Sequence, residues 1–247
     1  ESLQLEPPYL RLADASLAQE IFFGRFQFSG HVVDTGGVSP FHLAVANRGW
    51  QKALHGFRWL RHLRAAGTEL ACANARILVN DWIRHHGSRI SGIAWEPGTV
   101  AKRIVAWLQH SSILLNGADH GFQRQFLKSL AVQVRFLRKT AAEMPPGRER
   151  LRARVALAFA SLSLPSSAGV QRNASRNLDA ELDRQILPDG GHVSRNPLTL
   201  LELLADLLPL RQVYASQLLA PPLNLLASID RMLPALRFFR HADGSIA

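Results

Sequence analysis

The sequence predicts an all-α protein, and three observations support that class. Alanine and leucine recur throughout the 247 residues, whereas runs of β-branched residues are scarce, and this composition favours helices over strands. From about Trp50 onward, apolar residues recur at helical intervals in segments separated by glycine, proline and serine. No half of the chain is rich in strand patterns. With 47% hydrophobic and 19% charged residues, the chain has the composition of a globular protein rather than a disordered one.

The first forty residues differ from the rest. Two prolines interrupt residues 1–12, which we expect to be extended, and a short helix is predicted from Ala13 to Phe23. The following stretch, GRFQFSGHVVDTGG, alternates apolar and polar residues between glycines and predicts a hairpin or an extended crossing segment. We therefore expect an irregular N-terminal arm over residues 1–40 and a helical domain over residues 41–247.

Eight amphipathic helices are predicted beyond that arm. Gly67 is the predicted C-cap of the first helix, and Thr99 is a candidate N-cap of the third, just after Pro97. The predicted helices begin near residues 50, 69, 97, 119, 148, 173, 197 and 223. Helix pairs of this length form a bundle, a solenoid or an α/α toroid, and periodicity does not choose among the three.

The charge balance predicts an anionic partner. The chain has 29 Lys and Arg residues against 19 Asp and Glu residues, a net charge of +10. Nucleic acid, a membrane surface and an acidic polysaccharide all fit that sign, and arginine binds carboxylate, sulfate or phosphate through two parallel hydrogen bonds. The single cysteine, Cys72, excludes an internal disulfide, so a periplasmic and a cytoplasmic location in a bacterium both stay open. No apolar stretch approaches 18 residues, so no membrane span is expected.

Three stretches resemble the heparinase II/III family of bacterial polysaccharide lyases. The first, from GVSPF to WQKALHGFRWLRHL, resembles the start of that family's helical domain. The second, IAWEPGTVAKRIVAWLQH at residues 93–110, is similar to a pattern of Trp, an acidic or small residue, Pro, then Arg and an aromatic pair. The third and most specific, QILPDGGHVSRNPLTLLELLADLLPLRQ at residues 185–212, resembles an Asp-Gly turn, a polar strand ending in Pro, and a Leu-rich helix.

This resemblance implies a fold and an activity. The fold is an incomplete (α/α) toroid of helix hairpins, which in the family is completed by a C-terminal antiparallel β-sandwich that we expect to be absent from this chain. The activity is eliminative cleavage of an acidic, uronate-containing polysaccharide. Such a reaction needs a group that neutralises the sugar carboxylate, a base for the C5 proton and an acid for the leaving oxygen. The resemblance implies no cofactor and no metal.

The sequence departs from the family at its catalytic positions. An Asn-His pair of the lyases falls on Arg148 and Glu149, and the family's catalytic Tyr falls on Thr199. The polar residues that remain in the third stretch are His192, Arg195 and Asn196, just before the helix start at Pro197. We take these three as the candidate catalytic residues. A helix N-terminus attracts a carboxylate, and a histidine near its ordinary pKa is suited to act as a base.

Six further residues are candidates for substrate binding. They are Trp95, Glu96, Arg103, Arg148, Glu149 and Asp189. Structural interpretations stand beside these functional ones. Asn196 is suited to cap a helix, Arg195 to pair with a helix acid such as Glu202, and Arg148 with Glu149 to form an exposed ion pair. Trp95 is suited to core packing as well as to stacking on a sugar.

Two other functions remain open besides the lyase, and nucleic-acid binding is a third that the sequence favours least. The missing family residues favour a non-catalytic glycan-binding toroid. A glycoside hydrolase on the same fold would need two carboxylates facing the cleft, for which Glu96, Glu149 and Asp189 are the candidates. Nucleic-acid binding is the last choice, and we expect no nucleic acid partner. The His85-His86 pair is explained by the dipole at a helix end, so no metal is expected there.

Overall fold

A computed structural model describes residues 3–239 of the chain, and these residues pack as two compact units. Residues 11–137 form unit 1, and residues 3–10 together with 138–239 form unit 2. The predicted boundary at residue 40 stays a prediction, and the ends of both predicted domains, residues 1–2 and 240–247, lie outside the described residues. Within the described part, no helix is both long and apolar enough to cross a membrane.

Unit 1 is helical apart from one small sheet. Two 3-10 turns, Pro40–His42 and Ile93–Trp95, lie between its helices. Its regular elements are α1 (Ser16–Phe22), β1 (Arg25–Phe28), β2 (His31–Asp34), α2 (Arg48–Gly56), α3 (Leu60–Ala66), α4 (Glu69–His86), α5 (Pro97–Gln109), α6 (Ser111–Leu115) and most of α7 (His120–Thr140).

Unit 2 is built from four long helices. They are α8 (Arg148–Ser163), α9 (Ala168–Gln185), α10 (Pro197–Ser216) and α11 (Leu223–Phe238). Helix α8 packs against α9 and α10, and α11 packs against the same two helices. Alanine and leucine side chains around most of the circumference of α8 are buried, as in a helix that is apolar on several faces.

The predicted hairpin and the short helix before it are both present. Strands β1 and β2 pair antiparallel, with Arg25 opposite Asp34 and Phe28 opposite His31. The two residues between the strands, Ser29 and Gly30, have φ angles of 51° and 76°, as a tight two-residue hairpin turn requires. Residues 16–34 therefore contain regular structure, whereas residues 3–14 have neither helix nor strand.

The first predicted helix after the arm is wrong as a single element, because it breaks at Phe57. Residue Phe57 adopts the left-handed conformation, with φ 58°, and separates α2 from α3. Its side chain is fully buried, stacked on Phe41 at 5.6 Å between ring centroids and set edge-on to Trp107 at 5.5 Å. A left-handed conformation is strained for a bulky residue, so we attribute the break to tertiary packing of the ring and not to local sequence preference.

The predicted caps give one confirmation and one correction. Gly67 closes α3 with a φ of 63°, as predicted. Thr99 is not the N-cap of α5, because that helix already begins at Pro97 and Thr99 is buried inside its first turn. Proline is favoured at the first helical position, where no backbone N–H is needed, and this preference places the N-cap at Glu96, three residues before the predicted one.

A buried arginine lies among the aromatic residues of unit 1. Arg103 has no exposed surface, and its guanidinium lies 3.9 Å from the ring centre of Trp82. Its Nη1 donates to the carbonyl oxygens of His55 at 2.9 Å and Ala94 at 2.8 Å, and its Nε donates to Oε1 of Gln133 at 2.8 Å. These neutral acceptors and the ring face stabilise the charge that burial would otherwise make costly.

Candidate functional site

The loop that joins α9 to α10 carries the predicted catalytic residues. Its turn is closed by two backbone hydrogen bonds, from Leu187 N to Gly191 O at 2.8 Å and from Gly190 N to Leu187 O at 2.9 Å. Gly190 has a φ of 82°, and a Cβ atom there would lie 2.0 Å from the carbonyl oxygen of Arg231 in α11. Only glycine fits a turn that approaches a neighbouring backbone this closely.

Asn196 caps α10, as the structural interpretation predicted. Its side-chain oxygen accepts hydrogen bonds from the backbone N–H groups of Leu198 at 2.9 Å and Thr199 at 3.3 Å. Pro197 occupies the first helical position. Because the Asn196 oxygen is already hydrogen-bonded to the helix, only the amide nitrogen of this side chain remains as a donor for a ligand.

His192 is buried, although a catalytic base must be able to reach the proton that it removes. Only 2% of the residue is accessible. The backbone N–H of Ser194 donates to His192 Nδ1 at 3.0 Å, and Nε2 lies 3.0 Å from Oε1 of Gln185. From this pattern we assign the proton to Nε2, with Nδ1 as acceptor. Both ring nitrogens are thus occupied by bonds within the fold.

The pKa of His192 also differs from the predicted one. Burial lowers it below the ordinary value of 6.5, and the nearby positive charge of Arg148 lowers it further. A base with a lowered pKa is neutral at pH 7 but takes up a proton less readily. Protonation of Nδ1 would additionally break the hydrogen bond that this nitrogen accepts from the backbone N–H of Ser194.

The hydrogen bonds of His192 continue into a buried ion pair. Nε2 of Gln185 donates to Glu181 Oε2 at 2.6 Å. Glu181 is 3% exposed, and its Oε1 lies 2.8 Å from Arg150 Nη2 and 3.2 Å from Arg184 Nη1. This buried carboxylate therefore has the charged and polar partners that burial requires.

Arg195 pairs with Asp189 instead of the predicted Glu202. Its Nη1 lies 2.5 Å from Asp189 Oδ2, and the two side chains are 63% and 57% exposed. The hydrogen bond from Arg195 lowers the pKa of Asp189, so that carboxylate is charged at neutral pH. An exposed pair of this kind contributes little to stability, and its two charges stay available to a ligand.

A chain of ion pairs connects the start of α8 to α10. Arg148 Nε lies 3.1 Å from Glu149 Oε1, and both side chains are more than 40% exposed, so the predicted exposed pair is confirmed. Glu149 also accepts from the buried Arg152 at 2.7 Å, and Arg152 reaches Glu202 at 2.5 Å. The positions where the resemblance places an Asn-His pair therefore take part in holding two helices together.

The position that the resemblance gives to a tyrosine is inside the protein. Thr199 is 2% exposed in the first turn of α10. Its short side chain carries an alcohol hydroxyl, which is a much weaker acid than the phenol of tyrosine. Thr199 therefore cannot replace that tyrosine as a proton donor or acceptor for a polysaccharide.

The structure brings the predicted loop residues together around one cavity of unit 2. The cavity has a volume of about 260 Å³. Four predicted residues line it, namely Asp189, His192, Arg195 and Asn196. The opposite side is apolar and comes from α10 and α11, with Leu200, Ala235, Phe238 and Phe239. Sequence reasoning missed these four, because no local pattern shows that the end of α11 lies beside the loop.

The remaining candidates belong to unit 1 and are held in structural contacts. Trp95 is 3% exposed, and its Nε1 donates to the carbonyl oxygen of His86 at 2.7 Å. This burial opposes a sugar-stacking role for Trp95, and the complete burial of Arg103 likewise opposes substrate contact. Glu96 pairs with Arg48 and with Lys52 Nζ, the latter at 2.9 Å. Its role in substrate binding stays a prediction.

One curated relative aligns with the whole chain. No protein-family model matches this sequence. The chain is 31% identical over 251 residues to FtsZ-localized protein C of Caulobacter vibrioides, an alignment that includes 100% of this chain and 42% of that protein. The chain thus spans less than half the length of this relative.

Solved structures of heparinases share the fold. Heparan sulfate lyase HepC from Pedobacter heparinus superposes with a TM-score of 0.68 and 20% identity, over 94% of this chain and 39% of that chain. A heparinase III structure gives a TM-score of 0.67 and 19% identity, over 88% of this chain and 34% of that chain. The predicted fold class, an all-α incomplete (α/α) toroid, is thereby confirmed.

Proposed function

We propose that this chain recognises an anionic polysaccharide and does not by itself supply the acid and base that would cleave it. The proposed contact surface is the unit 2 cavity between the α9–α10 loop and the end of α11. The proposal keeps the ligand class implied by the resemblance and by the net charge of +10. It replaces lyase chemistry by binding, which was one of the two alternatives that the sequence left open.

The observation that carries this proposal is the bonding of the candidate catalytic groups. Both nitrogens of His192 are hydrogen-bonded inside the fold, the Asn196 oxygen caps α10, and Thr199 is buried. A general base must reach the proton that it removes, directly or through one water. A lyase reaction in a longer protein would therefore take its acid–base pair from groups outside this loop.

The same cavity has features that suit a charged sugar. Arg195 presents a guanidinium that is mostly exposed, and Asp189 beside it can accept hydrogen bonds from sugar hydroxyls. Phe238 and Phe239 line the opposite side, and aromatic rings pack against the apolar faces of sugar rings. The volume of about 260 Å³ lies just below the range of roughly 300–1,000 Å³ typical for drug-sized ligands.

Calorimetric titration with a heparan sulfate oligosaccharide tests the proposal, with uncharged dextran as the comparison. Arg195→Gln should weaken binding about 10- to 100-fold, because a hydrogen bond to a charged group contributes roughly 1.5–3 kcal/mol. Arg176→Gln is the matched control, since Arg176 is an exposed arginine of unit 2 that does not line the cavity. Equal affinity of Arg195→Gln and the control would remove the site assignment, and equal binding of dextran would remove the anionic specificity.

Cleavage is measured separately, through the ultraviolet absorbance of the unsaturated uronate that elimination produces. We expect no such product from this chain incubated with heparan sulfate. Sustained production of it by the wild-type chain, lost in Arg195→Gln, would show that the chain is a lyase and that the non-catalytic proposal is wrong.

A second candidate function follows from the relative in Caulobacter vibrioides. Because the 31% identity extends over the whole chain, we propose that a protein containing this chain localises with FtsZ, as the name of that relative states for itself. Co-sedimentation with purified FtsZ polymers tests this, with Arg195→Gln included. Pelleting that is unaffected by Arg195→Gln would assign FtsZ and the glycan to different surfaces. A chain that stays in the supernatant would remove FtsZ binding as a function of this chain.

A further inference from the structure

Unit 1 brings together three metal-ligating side chains that sequence reasoning did not group. His42 ends the first 3-10 turn, whereas Asp81 and His85 lie one turn apart near the end of α4. One ligand atom from each residue lies within 4.8 Å of the other two. His42 Nε2 is 4.0 Å and His85 Nδ1 is 3.0 Å from the same carboxylate oxygen, Asp81 Oδ1.

Local structure explains why these groups meet. Residues four apart on a helix face the same side, so Asp81 and His85 are neighbours. The turn that carries His42 is held by Phe41, which is 7% exposed and stacked on Phe57. The ring centroids of His42 and His85 are 3.8 Å apart and edge-to-face, so both imidazoles approach the carboxylate together.

Ser39 holds the carboxylate from its other side. Its hydroxyl hydrogen-bonds Asp81 Oδ2, and the backbone N–H of Phe41 donates to the same Ser39 oxygen at 3.3 Å. The oxygen bound by Ser39 is therefore not the one that faces the histidines. Outer hydrogen bonds of this kind orient a ligating carboxylate in metal sites.

We propose that His42, Asp81 and His85 bind one divalent transition-metal ion of the Zn²⁺ class. Imidazole nitrogens with a carboxylate oxygen suit Zn²⁺, whereas Mg²⁺ and Ca²⁺ prefer oxygen ligands alone. Ligand atoms around tetrahedral zinc lie roughly 3.4 Å apart, given bonds of about 2.0–2.2 Å. The distances of 3.0 and 4.0 Å are within side-chain adjustment of that geometry.

The bound ion would link the Pro40–His42 turn to α4. His42, Asp81 and His85 have side chains that are 41%, 23% and 40% exposed, so an ion can enter from solvent. Three protein ligands leave one tetrahedral position for water. His85 Nδ1 lies 2.9 Å from the carbonyl oxygen of Asp81, and zinc would displace a proton from that nitrogen.

The first test is a calorimetric titration of the chelator-treated chain with Zn²⁺ alone. We expect one Zn²⁺ per chain and no measurable heat of binding with Mg²⁺ or Ca²⁺. Free Zn²⁺ at about 100 times its Kd should raise the melting temperature by about 5–10 °C, from mass action on a chain of this size. Absence of Zn²⁺ binding to the folded wild type would overturn the proposal.

Variants assign the binding to these residues. His42→Gln and His85→Gln should each abolish binding at a Zn²⁺ concentration that saturates the wild type. Ser39→Ala should weaken binding roughly 10- to 100-fold, as outer-ligand substitutions do. His31→Gln is the matched control, because His31 is an exposed histidine of unit 1 outside the cluster.

The outcomes separate a metal site from a folding defect. Circular dichroism shows which variants fold. If His85→Gln does not fold, the result for His42→Gln decides. Wild-type affinity in folded His42→Gln would overturn the proposal, and so would loss of binding in His31→Gln with the cluster intact. Selective loss in the His42, His85 and Ser39 variants would support it.

Discussion

Replacing Gly190 by alanine tests how the loop of the candidate site is held against α11. The residue has a φ of 82°, and an added Cβ would lie 2.0 Å from Arg231 O and 3.1 Å from the Cβ of Ala235. The left-handed conformation costs an L-residue roughly 1–2 kcal/mol, and overpacking adds about 1–3 kcal/mol. Gly190→Ala should therefore destabilise unit 2 by about 2–5 kcal/mol.

Gly37 offers a control with the same backbone geometry. Its φ is 84°, and a Cβ built there would have no heavy atom within 4 Å. Gly37→Ala should therefore show the conformational cost alone, about 1–2 kcal/mol. The difference between the two substitutions measures the close approach of the loop to the Arg231 carbonyl.

Urea unfolding, followed by two probes, provides the assay. All five tryptophans lie between residues 50 and 107, so their fluorescence follows unit 1, while circular dichroism follows the helices of both units. The Gly190→Ala loss should be seen by circular dichroism, together with weaker oligosaccharide binding, because the turn positions Asp189 and Arg195. If Gly190→Ala costs no more than Gly37→Ala, the loop is not fixed by this approach and the reasoning is refuted.

Three further predictions concern protonation, capping and the buried cation. Burial lowers the pKa of His55 and of His110 to about 3 from 6.5, so their stabilising neutral forms are complete above pH 6.5 and lost as the pH falls toward 3. At pH 4.5 unit 1 should be about 5 kcal/mol less stable than at pH 7.5, and tryptophan-monitored urea unfolding with equal stability at both pH values would contradict this. Asn196→Ala should lower the free energy of unfolding by about 0.5–2 kcal/mol, and Asn196→Ser by much less. Equal unfolding midpoints of the wild type and Asn196→Ala by circular dichroism would argue against the cap. Arg103→Met should cost about 3–5 kcal/mol, because two buried carbonyl oxygens and the side-chain oxygen of Gln133 lose their donor; unchanged urea unfolding would exclude that role.

Helix positions were predictable where the sequence carries local signals. Helix α4 begins at the predicted Glu69, and α10 begins at the predicted Pro197. The side chain of Thr68 caps the first of these helices and Asn196 caps the second, and such signals act within a few residues. The break at Phe57 was not predictable, because it depends on distant aromatic partners.

The candidate site divides in the same way. The cap by Asn196 and the glycine turn follow from neighbouring residues, so sequence reasoning found them. The burial of His192 depends on Gln185 and Glu181, which lie on the preceding helix. The meeting of His42 with His85 depends on how a turn packs on α4. Contacts between separate elements leave no pattern in a single sequence. The burial of His192 and the proximity of His42 to His85 were therefore missed.

Phe57 has a consequence for the substitutions that unit 1 can tolerate. Its backbone conformation would suit glycine, yet its fully buried ring fills space among other aromatic side chains. Glycine would relieve roughly 1–2 kcal/mol of backbone strain, whereas losing a buried phenyl ring costs about 3–5 kcal/mol even when a methyl group stays. The two demands conflict, and the ring prevails. Such a position does not tolerate glycine, although its backbone would favour it. Nor does it tolerate a smaller side chain, because the aromatic neighbours would then surround a cavity.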